Sequence, residues 1–335
     1  MKFGILTGGG DSPGMNAFVR AVVRTALNTE PQTSVWGVYD GWKGLAENNY
    51  RKLNKLSVAG LSSTGGTVLG TMRFPELAHN SEIQERIAAD LHKHGFDYIF
   101  VCGGNGSLKA SAVIESILRK RNRRTRIMFA PGSIDNDVCN VYGSSLGFYS
   151  AIDKSLEMLE WIRDTASSHR RVYLIRSMGR QSSYLAAFAG IVTGAEHVIR
   201  PNEDVDYEEM TEMIAGRNRD TRIIISEAYP QSLNEVKQEL ELRFRARGIK
   251  SEIRTVDMSY FQRGGKAAVT DILRASWLGY RMVRDAFEEV PSGFYSAFYT
   301  GHSPKPLPLD FAANADVTNH DDIPEYLLDF MAALR

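Results

Sequence analysis

The heptad Pro131-Gly132-Ser133-Ile134-Asp135-Asn136-Asp137 places two carboxylates two residues apart, with a hydroxyl just before them. Those residue types suit chemistry on a phosphate: one acid can take a proton while the other holds hydrated Mg²⁺. The apolar run Ile127–Ala130 ahead of it reads as a buried strand. In α/β proteins ligands bind at the C-terminal ends of strands. Proline, glycine, serine, aspartate and asparagine are also turn residues, so alone the heptad reads equally as a turn.

Three glycine-rich stretches accompany it, Gly8–Gly14, Gly65–Gly70 and Gly103–Ser107, each read as following a strand or preceding a helix. Glycine lets backbone N–H groups approach phosphate oxygens, and a helix N-terminus adds a favourable dipole. Glycine also makes ordinary turns, so no one loop is decisive. None closes as Gly-Lys-Ser/Thr, and the dinucleotide fingerprint is absent. Arg73, Arg171, Arg180, Arg254 and Arg263 stand at the polar ends of elements. Arginine can fork onto a phosphate or stabilise a transferring phosphoryl group, although most arginines are surface solubilisers. Glycine beside Arg180 and Arg263 leaves room for a ligand. The seven histidines form no HExxH or Cys/His site, and no Gly-x-Ser-x-Gly elbow occurs. The pattern points to phosphoryl transfer, which needs positioning and charge neutralisation more than covalent chemistry.

Alternating strands and helices must position these groups. The strand Lys2–Thr7 precedes the first glycine loop, and Val19, Val22, Val23 and Ala26 share a face of the helix after it. Val35–Tyr39 and Tyr98–Cys102 read as strands, Ile83–His92 as a helix, and Tyr149–Arg163 as a long helix. The pattern restarts with strands Arg171–Arg176, His197–Arg200, Arg222–Ser226 and Glu252–Val256, separated by helices. Ala267–Glu288 reads as a helix, Gly293–Thr300 as a strand, His302–Pro308 as an extended connection and Pro324–Leu334 as a terminal helix. Two doubly wound α/β domains with mainly parallel sheets are expected, with a soft boundary near residue 147.

The 335 residues suit two domains at about 100–200 residues each. Forty basic residues balance forty acidic ones, so no global charge draws nucleic acid or membrane, and an anion site must be local. The basic stretch Arg119–Arg126 reads as a solvated helix end in preference to a nucleic-acid patch. Two cysteines are too few for a disulfide framework. With no signal peptide and no apolar run of about 18 residues, a soluble, cytoplasmic protein is expected.

Gly9–Asn16, Gly65–Gly70 with Arg73, Gly103–Ser107, Pro131–Asp137, Met178-Gly179-Arg180 and Gln262-Arg263-Gly264-Gly265 together resemble the 6-phosphofructokinase family in order and spacing. The resemblance covers Lys2 to about residue 300. It implies a nucleotide-binding domain of residues 1–146 plus about 262–310, and a sugar-phosphate-binding domain of 147–261 plus about 311–335. It implies transfer of the γ-phosphoryl of ATP to the 1-hydroxyl of fructose 6-phosphate, with Mg²⁺. Asp135 then matches the general base, Ser133 a holder of the transferring group (usually threonine in the family), and Arg180 the transition-state arginine. Gly9, Arg73, Gly104, Asn105, Gly106 and Ser107 match the nucleotide site, and Asn105 and Asp137 the metal site. Met178, Gly179, Glu227, Arg254, Tyr260 and Arg263 match the sugar-phosphate site, together with Ser133, Asp135 and Asp137. Arg171 matches a residue that reaches a neighbouring subunit's site, which implies a homo-oligomer, typically a tetramer.

Pyrophosphate-using relatives usually carry Asp at the position of Gly106 and Lys at that of Gly132, so the two glycines favour ATP. Arg20, Arg24, Lys55 and Arg163 fall on basic positions of the bacterial effector site; Arg20 and Arg24 read equally as a solvated helix face. Two departures stand out. Asn105 replaces an aspartate, which removes a charge attractive to a divalent ion, and Tyr260 replaces a histidine near the 6-phosphate. They keep a related sugar phosphate open as acceptor. They also leave two alternatives: a phosphofructokinase-like regulatory or binding protein with weakened catalysis, or a pyrophosphate-dependent enzyme. Kinases of the diacylglycerol or NAD type share a Gly-Gly-Asp-Gly loop but lack the Ile-Asp-Asn-Asp and Gln-Arg-Gly-Gly stretches.

Overall fold

The computed structural model describes residues 1–139, 144–217, 219–296, 305–315 and 333. The chain divides into two compact units. One holds Met1–Ser150 with the described residues of Arg263–Val317, and the other holds Ala151–Gln262.

The first unit is built on a six-stranded sheet of order β10-β5-β4-β1-β2-β3. Its strands are β1 (Lys2–Gly8), β2 (Ser34–Val38), β3 (Tyr50–Leu53), β4 (Tyr98–Gly103), β5 (Arg126–Pro131) and β10 (Gly293–Phe294). Only β3 runs antiparallel to its neighbour. All six residues of β4 are buried, as expected of a parallel strand covered on both faces. Alternation divides them: Tyr98, Phe100 and Cys102 face one core, Ile99 and Val101 the other. The first core is closed by α1 (Met15–Thr29) and α10 (Val269–Phe287) through Val19, Val22, Leu278 and Met282. The second is closed by α2 (Gly41–Ala46), α3 (Ser81–Lys93), α4 (Asn105–Lys120) and α11 (Leu309–Asn314). Residues 311–314 therefore pack with the first unit.

The second unit is a four-stranded, wholly parallel sheet of order β7-β8-β6-β9. It comprises β6 (Val172–Ser177), β7 (His197–Ile199), β8 (Thr221–Ser226) and β9 (Ile253–Asp257). Tyr173, Ile175 and Ile224 pack under α6 (Tyr184–Thr193) and the later turns of α5 (Phe148–His169). Leu174, Ile223 and Ile225 pack under α7 (Tyr207–Gly216) and α8 (Leu233–Arg247). A short helix, α9 (Ser259–Arg263), carries the chain back toward the first unit's residues. Both units thus have the doubly wound architecture that the alternating pattern predicts.

Some boundaries differ from the sequence reading. The helix expected at Tyr149–Arg163 extends to His169. The strand expected over Gly293–Thr300 is paired only at Gly293–Phe294, and residues 297–304 and the helix expected at Pro324–Leu334 lie outside the described residues, Ala333 excepted. Gly65–Gly70 neither follows a strand nor precedes a helix; a 3₁₀ turn at Leu61–Ser63 leads into it. Among the described residues, no helix is long and apolar enough to cross a membrane.

Candidate active site

In the first sheet the chain leaves β1 toward β2 on one side and later returns to β4 on the other. Strand order reverses between β1 and β4, and ligands of doubly wound proteins bind at such a point. Gly8–Gly14 follows β1, Gly103–Ser107 follows β4, and the heptad follows β5, so three of the four predicted loops share one sheet edge. The fourth, Gly65–Gly70, is tied to that edge by side chains. Asn16 Nδ2 donates to the Gly65 carbonyl at 3.1 Å, and its Oδ1 accepts from Val68 N at 2.7 Å. Thr7 Oγ1 donates to the Gly70 carbonyl at 3.0 Å, and Thr71 Oγ1 to the Gly9 carbonyl at 2.6 Å. This last bond anchors the approach to Arg73, which is itself exposed.

Helix α4 begins at Asn105 with Gly104 as its N-cap and no capping side chain. The N–H groups of Asn105, Gly106 and Ser107 are thus available to an anion, reinforced by the helix dipole. Gly106 is exposed, and a Cβ there would meet nothing within 4 Å. Gly132 is different. A Cβ there would lie 2.9 Å from Cys102 Sγ and 3.1 Å from Met15 Cε, so a larger residue collides with the core under the loop. The space for a nucleotide is argued by Gly106, and Gly132 answers first to packing.

The heptad is held by both backbone and side chains. Gly132 N donates to the Gly103 carbonyl at 2.8 Å, and Ser133 N to the Leu146 carbonyl at 3.1 Å. Ser133 Oγ donates to Asp137 Oδ1 at 3.2 Å and accepts from Asp135 N at 3.2 Å. Asn136 adopts a left-handed backbone, φ 55°, which asparagine tolerates, and its Oδ1 accepts from Ser145 N at 2.9 Å. Asn105 Nδ2 donates to Asp137 Oδ2 at 2.9 Å. Asp137 is buried, and both its carboxylate oxygens accept hydrogen bonds.

Mg²⁺ uses one or two carboxylates plus phosphate oxygens and water, seldom an all-protein cage. Asp137 offers one carboxylate and Asn105 an amide, and among the described residues no group of three or more His, Cys, Asp or Glu is gathered for a metal. The donor set fits an ion that arrives with phosphates. It does not fit one held by protein alone.

Arg263 belongs to the first unit and lies over the first glycine loop: a Cβ on Gly10 would be 3.6 Å from its guanidinium. Its Nε is buried with no hydrogen-bond partner. Arg20 and Arg24 lie one turn apart on α1, and Lys55 is exposed beyond β3. In the basic stretch, Arg121 pairs with Glu85 and Arg126 holds Tyr98 Oη at 2.6 Å, so two of its charges serve the unit's own surface.

The second unit carries the other expected residues. A cavity of about 250 Å³ is lined by Arg176, Ser177, Met178, Glu227, Asp257 and Ser259, at the C-terminal ends of β6, β8 and β9. Glu227 and Met178 were expected there; Arg176, Ser177, Asp257 and Ser259 were not. The strand reading stopped at Val256, one residue short of Asp257, which closes β9. Fully buried Gln262 braces this edge: its Oε1 accepts from Met178 N at 2.7 Å, and its Nε2 donates to Ser155 Oγ at 2.8 Å and Ser177 Oγ at 3.0 Å. Gly179 has φ 148°, and a Cβ there would lie 2.6 Å from the Ser182 carbonyl. Arg180 is exposed with φ 55°, a conformation arginine adopts at a cost and one concentrated at functional sites.

Arg171 and Arg254 are brought together by one acid. Glu252 pairs with Arg171 at 2.6 Å and with Arg254 at 2.5 Å. Tyr260 is 76% exposed in its unit, and exposed Arg163 pairs with Asp164 at 3.3 Å.

A profile of the phosphofructokinase family matches residues 2–286. An ATP-dependent 6-phosphofructokinase of Hamiltonella defensa subsp. Acyrthosiphon pisum (strain 5AT) is 35% identical over 281 residues, 83% of this chain and 82% of that protein. The protein of the same name from Streptococcus sanguinis (strain SK36) is 34% identical over 286 residues, 84% of this chain and 81% of its own. The phosphofructokinase structure from Saccharomyces cerevisiae superposes with a TM-score of 0.82 at 29% identity, covering 100% of this chain and 48% of the yeast chain. A pyrophosphate-dependent phosphofructokinase from Marinobacter aquaeolei superposes with a TM-score of 0.80 at 18% identity, a likeness of fold alone. A profile match over most of the chain, relatives above 30% identity and the glycine loops and heptad described above agree: this chain belongs to the phosphofructokinase family.

Proposed function

We propose that this protein transfers the γ-phosphoryl group of ATP to the 1-hydroxyl of fructose 6-phosphate, giving fructose 1,6-bisphosphate and ADP. The observation that carries the reading is the heptad beside the α4 N-terminus, where Gly132 N donates to the Gly103 carbonyl. Asp135 takes the proton of the 1-hydroxyl, that oxygen forms a bond to the γ-phosphorus, and the bond to the β-phosphate oxygen breaks as ADP leaves. Gly9, Arg73 and the Gly104–Ser107 turn hold the nucleotide. Arg180 and Ser133 oppose the charge and fix the position of the transferring group. Asp137, with Asn105, would hold Mg²⁺, which when bound neutralises phosphate charge. Met178, Gly179 and Glu227 bind the sugar, while Arg171, Arg254, Tyr260 and Arg263 attend its phosphate. Exposed, unobstructed Gly106 supports ATP as donor over pyrophosphate. A cytoplasmic homotetramer, with Arg20, Arg24, Lys55 and Arg163 at an effector site, completes the reading.

Purified protein with ATP or pyrophosphate, offered a panel of sugar phosphates with products identified by mass spectrometry, tests it. Fructose 1,6-bisphosphate formed from ATP is the expected result; turnover only with pyrophosphate or only with another acceptor overturns it.

The Asn105–Asp137 hydrogen bond favours a second reading, a phosphofructokinase-like binding or regulatory subunit with weakened catalysis. A rate that is negligible with Asn105 and restored by Asn105→Asp supports that reading; a high rate with Asn105 removes it.

A further inference from the structure

The second sheet has its own reversal point: the chain leaves β6 for β7 and β8 on one side and returns to β9 on the other. The 250 Å³ cavity lies at that point, lined by residues at the C-terminal ends of β8, β6 and the edge strand β9. It is smaller than the roughly 300–1,000 Å³ of drug-sized sites, which suits one small polar ligand. Its charged lining is unequal, with two carboxylates, Glu227 and Asp257, and one guanidinium, Arg176. Arg176 and Asp257 are register partners across β6 and β9. Arg176 Nη2, however, donates to the Glu227 main-chain carbonyl at 2.7 Å, and Asp257 is exposed. Among the described residues neither carboxylate is tied up in an ion pair.

Ionised carboxylates only accept hydrogen bonds, so the two sides of the cavity that follow β8 and β9 are complementary to hydroxyl donors and repel anions. We propose that Asp257 is a specificity-determining residue of the acceptor pocket. It accepts a hydrogen bond from a sugar hydroxyl on the side of the pocket across β6 from Glu227, and its charge keeps a second anionic substituent of the acceptor out of that side. Ser259, held at φ 38° directly after Met258, adds a hydroxyl to the same wall. The inference rests on the sugar-phosphate reading given above, and Asp257 is the part of it that a search for phosphate-binding arginines does not find.

The test is equilibrium binding by calorimetry of two probes, fructose 6-phosphate and 6-phosphogluconate, an open-chain acid whose C1 carboxylate stands in place of a neutral hydroxymethyl group. Wild type, Asp257→Asn and Asp257→Ala are compared, with Asp257→Asn guarding against misfolding. Wild type is expected to prefer fructose 6-phosphate. Asp257→Ala should weaken that sugar about tenfold, the scale of a lost hydrogen bond in a polar site. Asp257→Asn should narrow the preference between the two probes by about tenfold, because charge and not shape is removed. A structural role would weaken both probes alike and leave the preference unchanged, which overturns the inference. So does binding of both probes within about twofold of wild type in both variants. Wild type that binds no fructose 6-phosphate overturns the acceptor reading itself, an outcome distinct from wild type that binds it with Asp257 irrelevant.

Discussion

Asn105 Nδ2 donates to the Asp137 side chain at 2.9 Å and to the Asp137 main-chain carbonyl at 3.2 Å. An amide facing a carboxylate is a stable pair without a cation. Two carboxylates at that separation repel until one takes a proton or a cation lies between them. Asn105→Asp should therefore raise the affinity of the nucleotide-loaded protein for Mg²⁺ by about tenfold and lower the melting temperature of the metal-free protein. Calorimetric titration of Mg²⁺ with a non-hydrolysable nucleotide checks the first, and thermal unfolding in chelator the second. Unchanged values in both would mean that the Asn105–Asp137 bond does not govern the metal.

Gln262 is fully buried with its amide oxygen and nitrogen both engaged. Gln262→Ala leaves the Met178 N–H and the hydroxyls of Ser155 and Ser177 without this partner. A cost of about 1–3 kcal/mol in urea unfolding is expected. Because Met178 leads into Gly179 and Arg180, kcat should fall as well, and fall further than the change in nucleotide KM.

Glu252 holds both Arg171 and Arg254. If those arginines serve the acceptor's phosphate, Glu252 competes with it. Glu252→Gln should tighten fructose 6-phosphate binding several-fold at low ionic strength, an effect that shrinks as salt screens the exposed groups. The salt series is the check, since a packing change would not follow ionic strength.

Burial pushes the Cys102 thiol up to about 12. The folded state thus favours the neutral thiol, and the sign follows: this stabilisation is fully present below the unfolded value of 9.0 and is lost as pH rises toward 12. Alkylation with iodoacetamide at pH 8, followed by mass spectrometry, should leave Cys102 unmodified until denaturant is added. Cys102→Ala should flatten the decline in stability above about pH 9 relative to wild type.

Gly8–Gly14, Gly103–Ser107 and the heptad were legible because their signals are local: an apolar run ends, and residues that permit tight turns begin. The same locality placed α4 directly behind Gly104 and pointed to two mainly parallel sheets. What the sequence left dark depends on register between distant strands. Asp257 becomes a pocket residue only because β9 pairs with β6 so that Asp257 faces Arg176. Glu252 gathers Arg171 across a separation of 81 residues, and Gln262 reaches Met178 across 84. Gly132 was read as a turn residue that leaves space for a nucleotide, whereas Cys102 and Met15 beneath it make packing its first constraint, and that constraint belongs to the core. An acidic residue closing an apolar strand was the available sign for Asp257.

Asp135, in the proposed reaction, removes the proton from the acceptor hydroxyl. Steady-state kcat and calorimetric binding of fructose 6-phosphate, measured on wild type and Asp135→Asn, test it most directly. A general base contributes about 10²–10⁴-fold, so kcat should fall by at least about a hundredfold. The dissociation constant for fructose 6-phosphate should stay within about twofold, since asparagine keeps the shape and a hydrogen-bonding oxygen. A variant that turns over within about threefold of wild type would contradict the account, because no base of that strength would then reside at Asp135.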